Sequence, residues 1–271
     1  MFKIGLSSCS KVLDEQLFSD YAKAGIEAME ISPNWPDYKY LNYKELDGYA
    51  KKYGIELWSY HLPFQTVDLS TDNRPWRLCA TECLSEMIRQ ASDIGIHKFV
   101  AHPSSGGIDP ATRADRLAYA KESLDTLAEF AAKYDSVICV EDLPRRGLAY
   151  CSDELLDILS VNDKLRVCFD TNHLLEEDIP TFIRKVGSKI ATVHVSDYDF
   201  VDERHWLPGE GAIQWSALLD ALEEVGYNGV WMYEIGFTSN AEKRGRNLTC
   251  ADFVRNAREL FENKPLTVFE K

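Results

Sequence analysis

The sequence predicts a closed (β/α)8 barrel, the TIM barrel class, folded as a single domain over residues 1–271. Three observations predict it. Short apolar runs rich in β-formers alternate with longer stretches whose apolar residues recur at helical spacing. The short runs number eight, the strand count of this barrel. No linker, internal repeat or low-complexity tract interrupts the 271 residues, a length that suits a barrel of roughly 250 residues.

The strands are expected, in order, at Lys3–Ser8, Ile26–Ser32, Ile55–Tyr60, Lys98–His102, Val137–Glu141, Leu165–Asp170, Ile190–Val195 and Val230–Ile235. Between them the helical spacing is seen in Leu117, Leu124, Leu127 and Ala131, and again in Leu218, Leu222 and Val225. Gly25, Gly54, Gly95 and Gly226 each precede a strand and mark helix ends, where glycine supplies the left-handed stop. An open doubly wound sheet would call for a glycine-rich phosphate loop after an early strand, and Ser7-Ser8-Cys9-Ser10 is not one.

Composition narrows the class. Hydrophobic residues at 45% and charged residues at 27% suit a soluble globular protein. Met1–Leu6 already alternates like a strand with no apolar signal region after it, and no run approaches the roughly 20 apolar residues of a membrane span. Seven scattered cysteines without a CxxC pair favour a reducing compartment, with Cys139 and Cys168 as buried free thiols. We therefore expect a cytoplasmic protein with no membrane partner. The formal charge of −14 removes any general attraction for phosphate backbones, so no nucleic-acid partner is expected either.

A barrel of this kind carries its active site at the C-terminal ends of its strands. Reactive residue types recur there. The third strand runs into His61, the fourth into His102, the fifth into Glu141 and Asp142, and the sixth into Asp170 and His173. The seventh carries His194 and the eighth runs into Glu234. One such residue is more often a turn former than a ligand, but six successive strands delivering them to one rim point to a single cavity. Converging carboxylates repel and are costly to bury, and a divalent cation at their centre resolves the conflict. His97 precedes the fourth strand, at the opposite rim, and is expected to be structural.

At these residues the chain resembles the xylose isomerase-like barrels, a superfamily of sugar isomerases, epimerases and endonuclease IV-type enzymes. The resemblance covers essentially the whole chain. In the ketose epimerase and inosose isomerase branches it implies one divalent metal ion held by Glu141 of CVED, Asp170 of CFDTNH, His194 of VHVSD and Glu234 of WMYE. His173, three residues after the Asp, is then a substrate contact, and Pro208-Gly209-Glu210-Gly211 matches a loop common to the group. The endonuclease branch implies a three-zinc cluster instead. His61 and His102 fit its early histidines, and Glu203-Arg204-His205 stands where that branch has Asp-Arg-His.

Three carboxylates and one imidazole suit Mn, Co, Mg or Zn. The resemblance implies proton transfer next to a carbonyl through a metal-stabilised enediolate, with Glu141 and Glu234 as base and acid. His61, His102, His173, Arg204 and His205 are expected to bind substrate hydroxyls. Trp35, Trp58, Phe64 and Trp206 either cover sugar faces or pack in the core. The substrate is expected to be a small sugar, sugar phosphate or cyclic polyol, and a homo-oligomer is common in the family. The alternatives are a multinuclear zinc phosphodiesterase and a sugar-binding barrel without turnover. Two short basic clusters, Arg145-Arg146 and Lys243-Arg244-Gly245-Arg246, are read as surface charge or as a grip for a substrate anion.

Overall fold

A computed structural model of the chain describes residues 2–33 and 37–267. Trp35 lies outside the described residues. The strands are β1 (Lys3–Ser7), β2 (Ala28–Ile31), β3 (Glu56–His61), β4 (Lys98–Ala101), β5 (Val137–Glu141), β6 (Arg166–Asp170), β7 (Ile190–Val195) and β8 (Val230–Tyr233). Each pairs in parallel with the next and β8 closes on β1, so the sheet has no edge. The expected runs map onto these strands one for one. His102 and Glu234 fall just past the strand ends, where the chain bends into loops, although the Glu234 N–H still donates to the Val195 carbonyl.

Helices return the chain between strands: α1 (Glu15–Ala24), α2 (Tyr43–Tyr53), α3 (Arg74–Ser92), α4 (Arg113–Ala131), α5 (Ser152–Leu159), α6 (Ile179–Val186) and α7 (Trp215–Glu224). A short α8 (Ala241–Arg244) and the closing α9 (Cys250–Phe261) follow β8. Local chemistry sets their ends. Asp14, Asn73 and Asp178 accept the N–H groups of Leu17, Trp76 and Thr181 at helix N-termini, satisfying donors that have no partner inside the helix. Gly25 and Gly54 close α1 and α2 at φ 92° and 69°, the left-handed conformation expected of them.

The main core lies between the strands and the helix ring, built on residues such as Phe18, Phe99, Leu127, Phe169 and Phe182, all fully buried. Smaller clusters fill the barrel interior: Ala28, Val230 and Met232 packed by Trp58, and Val100, Cys139 and Cys168. Trp58 therefore packs at the N-terminal end of the barrel interior, half-buried, its Nε1–H donating to Thr192 Oγ1, and lies away from the C-terminal rim. All seven cysteines are free thiols, and Cys139 and Cys168 are buried as expected. Among the described residues no helix is long and apolar enough to cross a membrane.

Candidate active site

The barrel's closure brings the C-terminal ends of β3 to β8 to one mouth. Glu141 ends β5 and Asp170 ends β6, His194 is the penultimate residue of β7, and Glu234 follows β8. Strand register sets Asp170 directly beside His194. One ligand atom from each of the four lies within 4.8 Å of the others. His194 Nδ1 is the hub, 3.1 Å from Glu141 Oε1, 3.3 Å from Glu234 Oε2 and 3.9 Å from Asp170 Oδ2.

Two further groups flank this centre, each again within 4.8 Å internally: His61, His102 and Glu141 on one side, and His173, Glu203 and His205 on the other. Glu141 Oε2 lies 2.9 Å from His102 Nε2 and 3.3 Å from His61 Nε2. Ring geometry is fixed from behind. The Leu62 carbonyl engages His61 Nδ1 at 2.9 Å, and the Asp142 carbonyl engages His173 Nδ1 at 2.7 Å. A carbonyl only accepts, so both rings carry the proton on Nδ1 and turn Nε2 to the carboxylates. His205 Nδ1 is likewise 3.0 Å from the Glu234 carbonyl, leaving Nε2 2.8 Å from Glu203 Oε1.

The electrostatics follow from packing acids and imidazoles together out of water. Burial pushes the Asp170 carboxyl up, with His173 opposing, to about 6. Burial also pushes Glu141 upward, yet the facing His102 and His194 outweigh it and hold the carboxyl well below the usual range. His61 and His102 share the Oε2 atom of Glu141. Burial lowers both, but the bond to Glu141 overcomes it for His61, which sits at about 9, and not for His102. Burial and Asp142's acidic neighbours raise Asp142 well above the ordinary range and favour its neutral form.

Do these residues fit a metal ion? Glu141 Oε2 and Asp170 Oδ2 are buried without a hydrogen-bond partner. The His102 and His61 nitrogens approach Glu141 Oε2 off the in-line N–H direction a hydrogen bond needs, and the His173 and His194 nitrogens stay 3.6 and 3.9 Å from Asp170 Oδ2, too far for one. Orphaned acceptors converging on one point, three carboxylates and an imidazole among them, are the donor set of a borderline or hard divalent cation. The residues fit.

Beside Glu234 the mouth opens into a cavity of about 370 Å3, lined by Cys9, Tyr38, His61, Phe64, Gln65 and Glu234, a size for a small ligand. Phe64 stacks on the His102 ring at 3.9 Å between centroids and walls this side. On the other flank of the centre, beside His173, lies the loop after β7. Arg204 lies in it with its guanidinium on Asp199 at 2.9 Å and over Trp206, so its charge is engaged within its own loop. Its backbone N–H and that of His205 donate to Asn172 Oδ1. His205 holds φ 50°, a left-handed conformation that costs about 1 kcal/mol or more and clusters at functional sites.

Several parts of this site were not anticipated. Glu30, at the end region of β2, is fully buried with Oε2 2.9 Å from His194 Nε2. Its signal was a lone acid inside the apolar run Ala28-Met29-Glu30-Ile31. Asp197 is no solvated charge. It is fully buried and accepts the N–H groups of Tyr198, Gly209 and Ile213 and the Trp215 Nε1–H. Glu210, in the Pro-Gly-Glu-Gly loop, forms a buried ion pair with Arg244. The basic clusters are thus committed to acids: Arg244 to Glu210, Arg246 to Asp252, Arg145 to Asp202 and Glu203, and Arg146 to Glu176.

Residues 18–249 match the model of the xylose isomerase-like TIM barrels. The chain belongs to this family. An uncharacterised protein of Methanocaldococcus jannaschii is 30% identical over 247 residues, covering 84% of this chain and 82% of its own. The D-psicose 3-epimerase of Ruminiclostridium cellulolyticum is 27% identical over 219 residues, covering 77% and 73%. Among solved structures, a D-tagatose 3-epimerase-like protein superposes with a TM-score of 0.83 at 25% identity, covering 96% of this chain and 97% of that one. Other similar proteins are named fructoselysine 3-epimerase, inosose isomerase and probable endonuclease 4. Apart from the endonuclease and the uncharacterised protein, these named relatives are epimerases and isomerases.

Proposed function

We propose that the protein is a divalent-metal-dependent epimerase or isomerase of a small ketose or related polyol, acting by proton transfer next to a carbonyl. The observation that carries this reading is the set Glu141, Asp170, His194 and Glu234, closed to within 4.8 Å around partnerless carboxylate oxygens and bordered by a cavity of sugar size. These four residues would hold one ion, of Mn, Zn, Co or Mg. When bound, the cation polarises the substrate carbonyl and stabilises the negative charge that develops beside it.

The chain's own residues do the rest. Glu234 borders the cavity directly and Glu141 lies behind it, beside His61 and His102. Both carboxyls are held below their usual range, Glu141 by His102 and His194 and Glu234 by His194, so both rest ionised. One glutamate takes the proton next to the carbonyl, the other delivers to the opposite face a proton it has first taken from solvent, and the first then returns its proton to solvent, so the carbon is inverted with no net gain or loss of protons. Return to the neighbouring carbon isomerises the sugar instead. His61, His102, His173 and His205 turn ring nitrogens to this space and meet substrate hydroxyls. Arg204 serves the site by closing its loop, with its guanidinium reaching a ligand once Asp199 releases it.

The test is a panel of ketoses and inososes incubated in deuterated water with each metal. We expect metal-dependent deuterium at the carbon next to the carbonyl, and loss of about 10²- to 10⁴-fold in turnover for Glu141→Gln and Glu234→Gln. Full activity in either variant would remove that glutamate from the mechanism.

A second reading is favoured by one specific observation: Glu141 belongs both to the four-residue set and to the group with His61 and His102, and His173, Glu203 and His205 form another. Three ions side by side would suit hydrolysis of a phosphodiester. Metal analysis of the purified protein separates the two, since one equivalent supports the isomerase and three support the hydrolase.

A further inference from the structure

Glu30 reaches the metal position from a strand that supplies none of its ligands. It belongs to β2 and His194 to β7, with β1 and β8 between them in the sheet, yet Glu30 Oε2 and His194 Nε2 are 2.9 Å apart across the barrel interior. A carboxylate only accepts, so the hydrogen of this contact sits on Nε2. Nδ1 also lies at hydrogen-bond distance from a carboxylate, Glu141 Oε1 at 3.1 Å, so it too carries a hydrogen, and this hydrogen, not the one committed to Glu30, is the one an ion among the acids would displace. Nδ1 is the atom that faces Glu141, Glu234 and Asp170.

Glu30 is itself held on both oxygens. Ser7 Oγ donates to Oε1 at 3.1 Å and Ser59 Oγ donates to Oε2 at 2.8 Å. The three residues lie level across β1, β2 and β3, Ser7 beside Glu30 and Glu30 beside Ser59. The β2–β3 ladder shifts register between Met29 and Glu30, an irregularity of the kind that re-aims a side chain next to an active site. Ser7, Glu30, Ser59 and His194 are all fully buried. Burying a carboxylate merely to fill space is costly, since an apolar side chain would do so without penalty.

We propose that Glu30 is a positioning residue for the metal centre: it locks His194 as the Nε2–H tautomer, aims Nδ1 at the ion and raises the basicity of that ligand, with Ser7 and Ser59 as its supports. The proposal rests on the metal-centre reading and carries it from the ligands to the group behind one of them. A carboxylate hydrogen-bonded to the far nitrogen of a metal-binding histidine does this by fixing ring orientation and sharing the proton's charge.

The test uses the full chain, with Zn²⁺ or Co²⁺ alone as probe. Chelator competition should rank metal affinity as wild type, then Glu30→Gln, then Glu30→Ala, with the alanine variant weaker by about 10- to 100-fold. Glutamine keeps an acceptor of the same size and loses the charge, so it recovers part of the affinity and keeps the tautomer. ¹⁵N spectra of histidine-labelled wild type should show His194 protonated at Nε2 before and after Zn²⁺, with the metal shift on Nδ1. Zn²⁺ on Nε2, or a Glu30→Ala protein that binds Zn²⁺ as tightly as wild type, overturns the proposal. If Glu30→Ala does not fold, the glutamine variant and the wild-type spectra decide. Wild type that takes up no metal sinks the metal-centre reading and this proposal together, whereas wild type that binds metal independently of Glu30 sinks this proposal alone.

Discussion

The two mouths of the barrel are built from the same eight strands and similar residue types, yet they handle polar groups in opposite ways. At the N-terminal mouth polar side chains find local partners. Lys3 pairs with Glu56 at 2.7 Å, His97 Nδ1 meets Ser136 Oγ at 3.1 Å, and Lys98 lies 3.4 Å over the Trp58 ring. At the C-terminal mouth, acids and imidazoles crowd together, and among the described residues three buried carboxylate oxygens, of Glu141, Asp142 and Asp170, have no hydrogen-bond partner. A histidine is structural at one end and a candidate ligand at the other, and what separates them is the accounting of partners. Surplus acceptors mark the end of the barrel that is waiting for something.

That contrast can be broken by experiment. The largest effect is expected from His194→Ala, which removes the hub of the ligand set and should weaken Zn²⁺ binding by more than about 100-fold, beyond the loss expected for an outer partner. Retained affinity by chelator competition would show that the C-terminal mouth does not use it. At the other mouth, Trp58→Ala should cost about 3 kcal/mol of stability through the cavity it leaves, read by denaturant unfolding, with metal affinity unchanged. A loss of metal binding there would mean that the two ends are coupled.

A smaller effect concerns pH. Asp170 stands at about 6 through burial, against an ordinary 3.8. His61 and His205 stand at about 9, against an ordinary 6.5, because bonds to Glu141 and Glu203 outweigh a burial that lowers both. All three hold protons more tightly folded than unfolded. Their contribution to stability is therefore present at low pH and lost as pH rises through the folded values. The melting temperature of chelator-treated protein should fall between about pH 5 and about pH 9, and Zn²⁺ should flatten the curve by displacing those protons. Below about pH 4 the sign reverses, because Glu141 and Glu234 are held below the usual range and must be protonated. A flat profile without metal would contradict the electrostatics of the mouth. The smallest effect is His97→Ala, expected to cost about 1 kcal/mol in unfolding experiments and to leave turnover unaltered.

The fold was legible because strand alternation, helical spacing and glycine stops are local signals, and all eight strands fall within a few residues of their expected positions. The four candidate ligands were legible for a related reason: each follows an apolar run and is reached by counting to its end. Glu30 was not. Its importance lies in a contact with a residue 164 positions away, made possible only when the sheet closes. Arg244 misled in the same way, because a run of basic residues reads as surface charge until Glu210 is brought against it. Trp58 could not be assigned from sequence either, since an aromatic in a barrel strand may face the rim or the interior packing with the same local pattern.

Asp197 gives the loop after β7 a clamped root. Its backbone pairs with Trp206 at 2.7 and 2.9 Å, its carboxylate gathers four donors, and Gly211 packs so closely on Tyr198 and Asp197 that no side chain fits there. From that root the stretch between positions 198 and 206 carries Glu203 and His205 to the mouth, where Asn172 and the Glu234 carbonyl hold it a second time. The loop is thus pinned at both ends, and its two functional side chains are presented by a span with little freedom to carry them elsewhere.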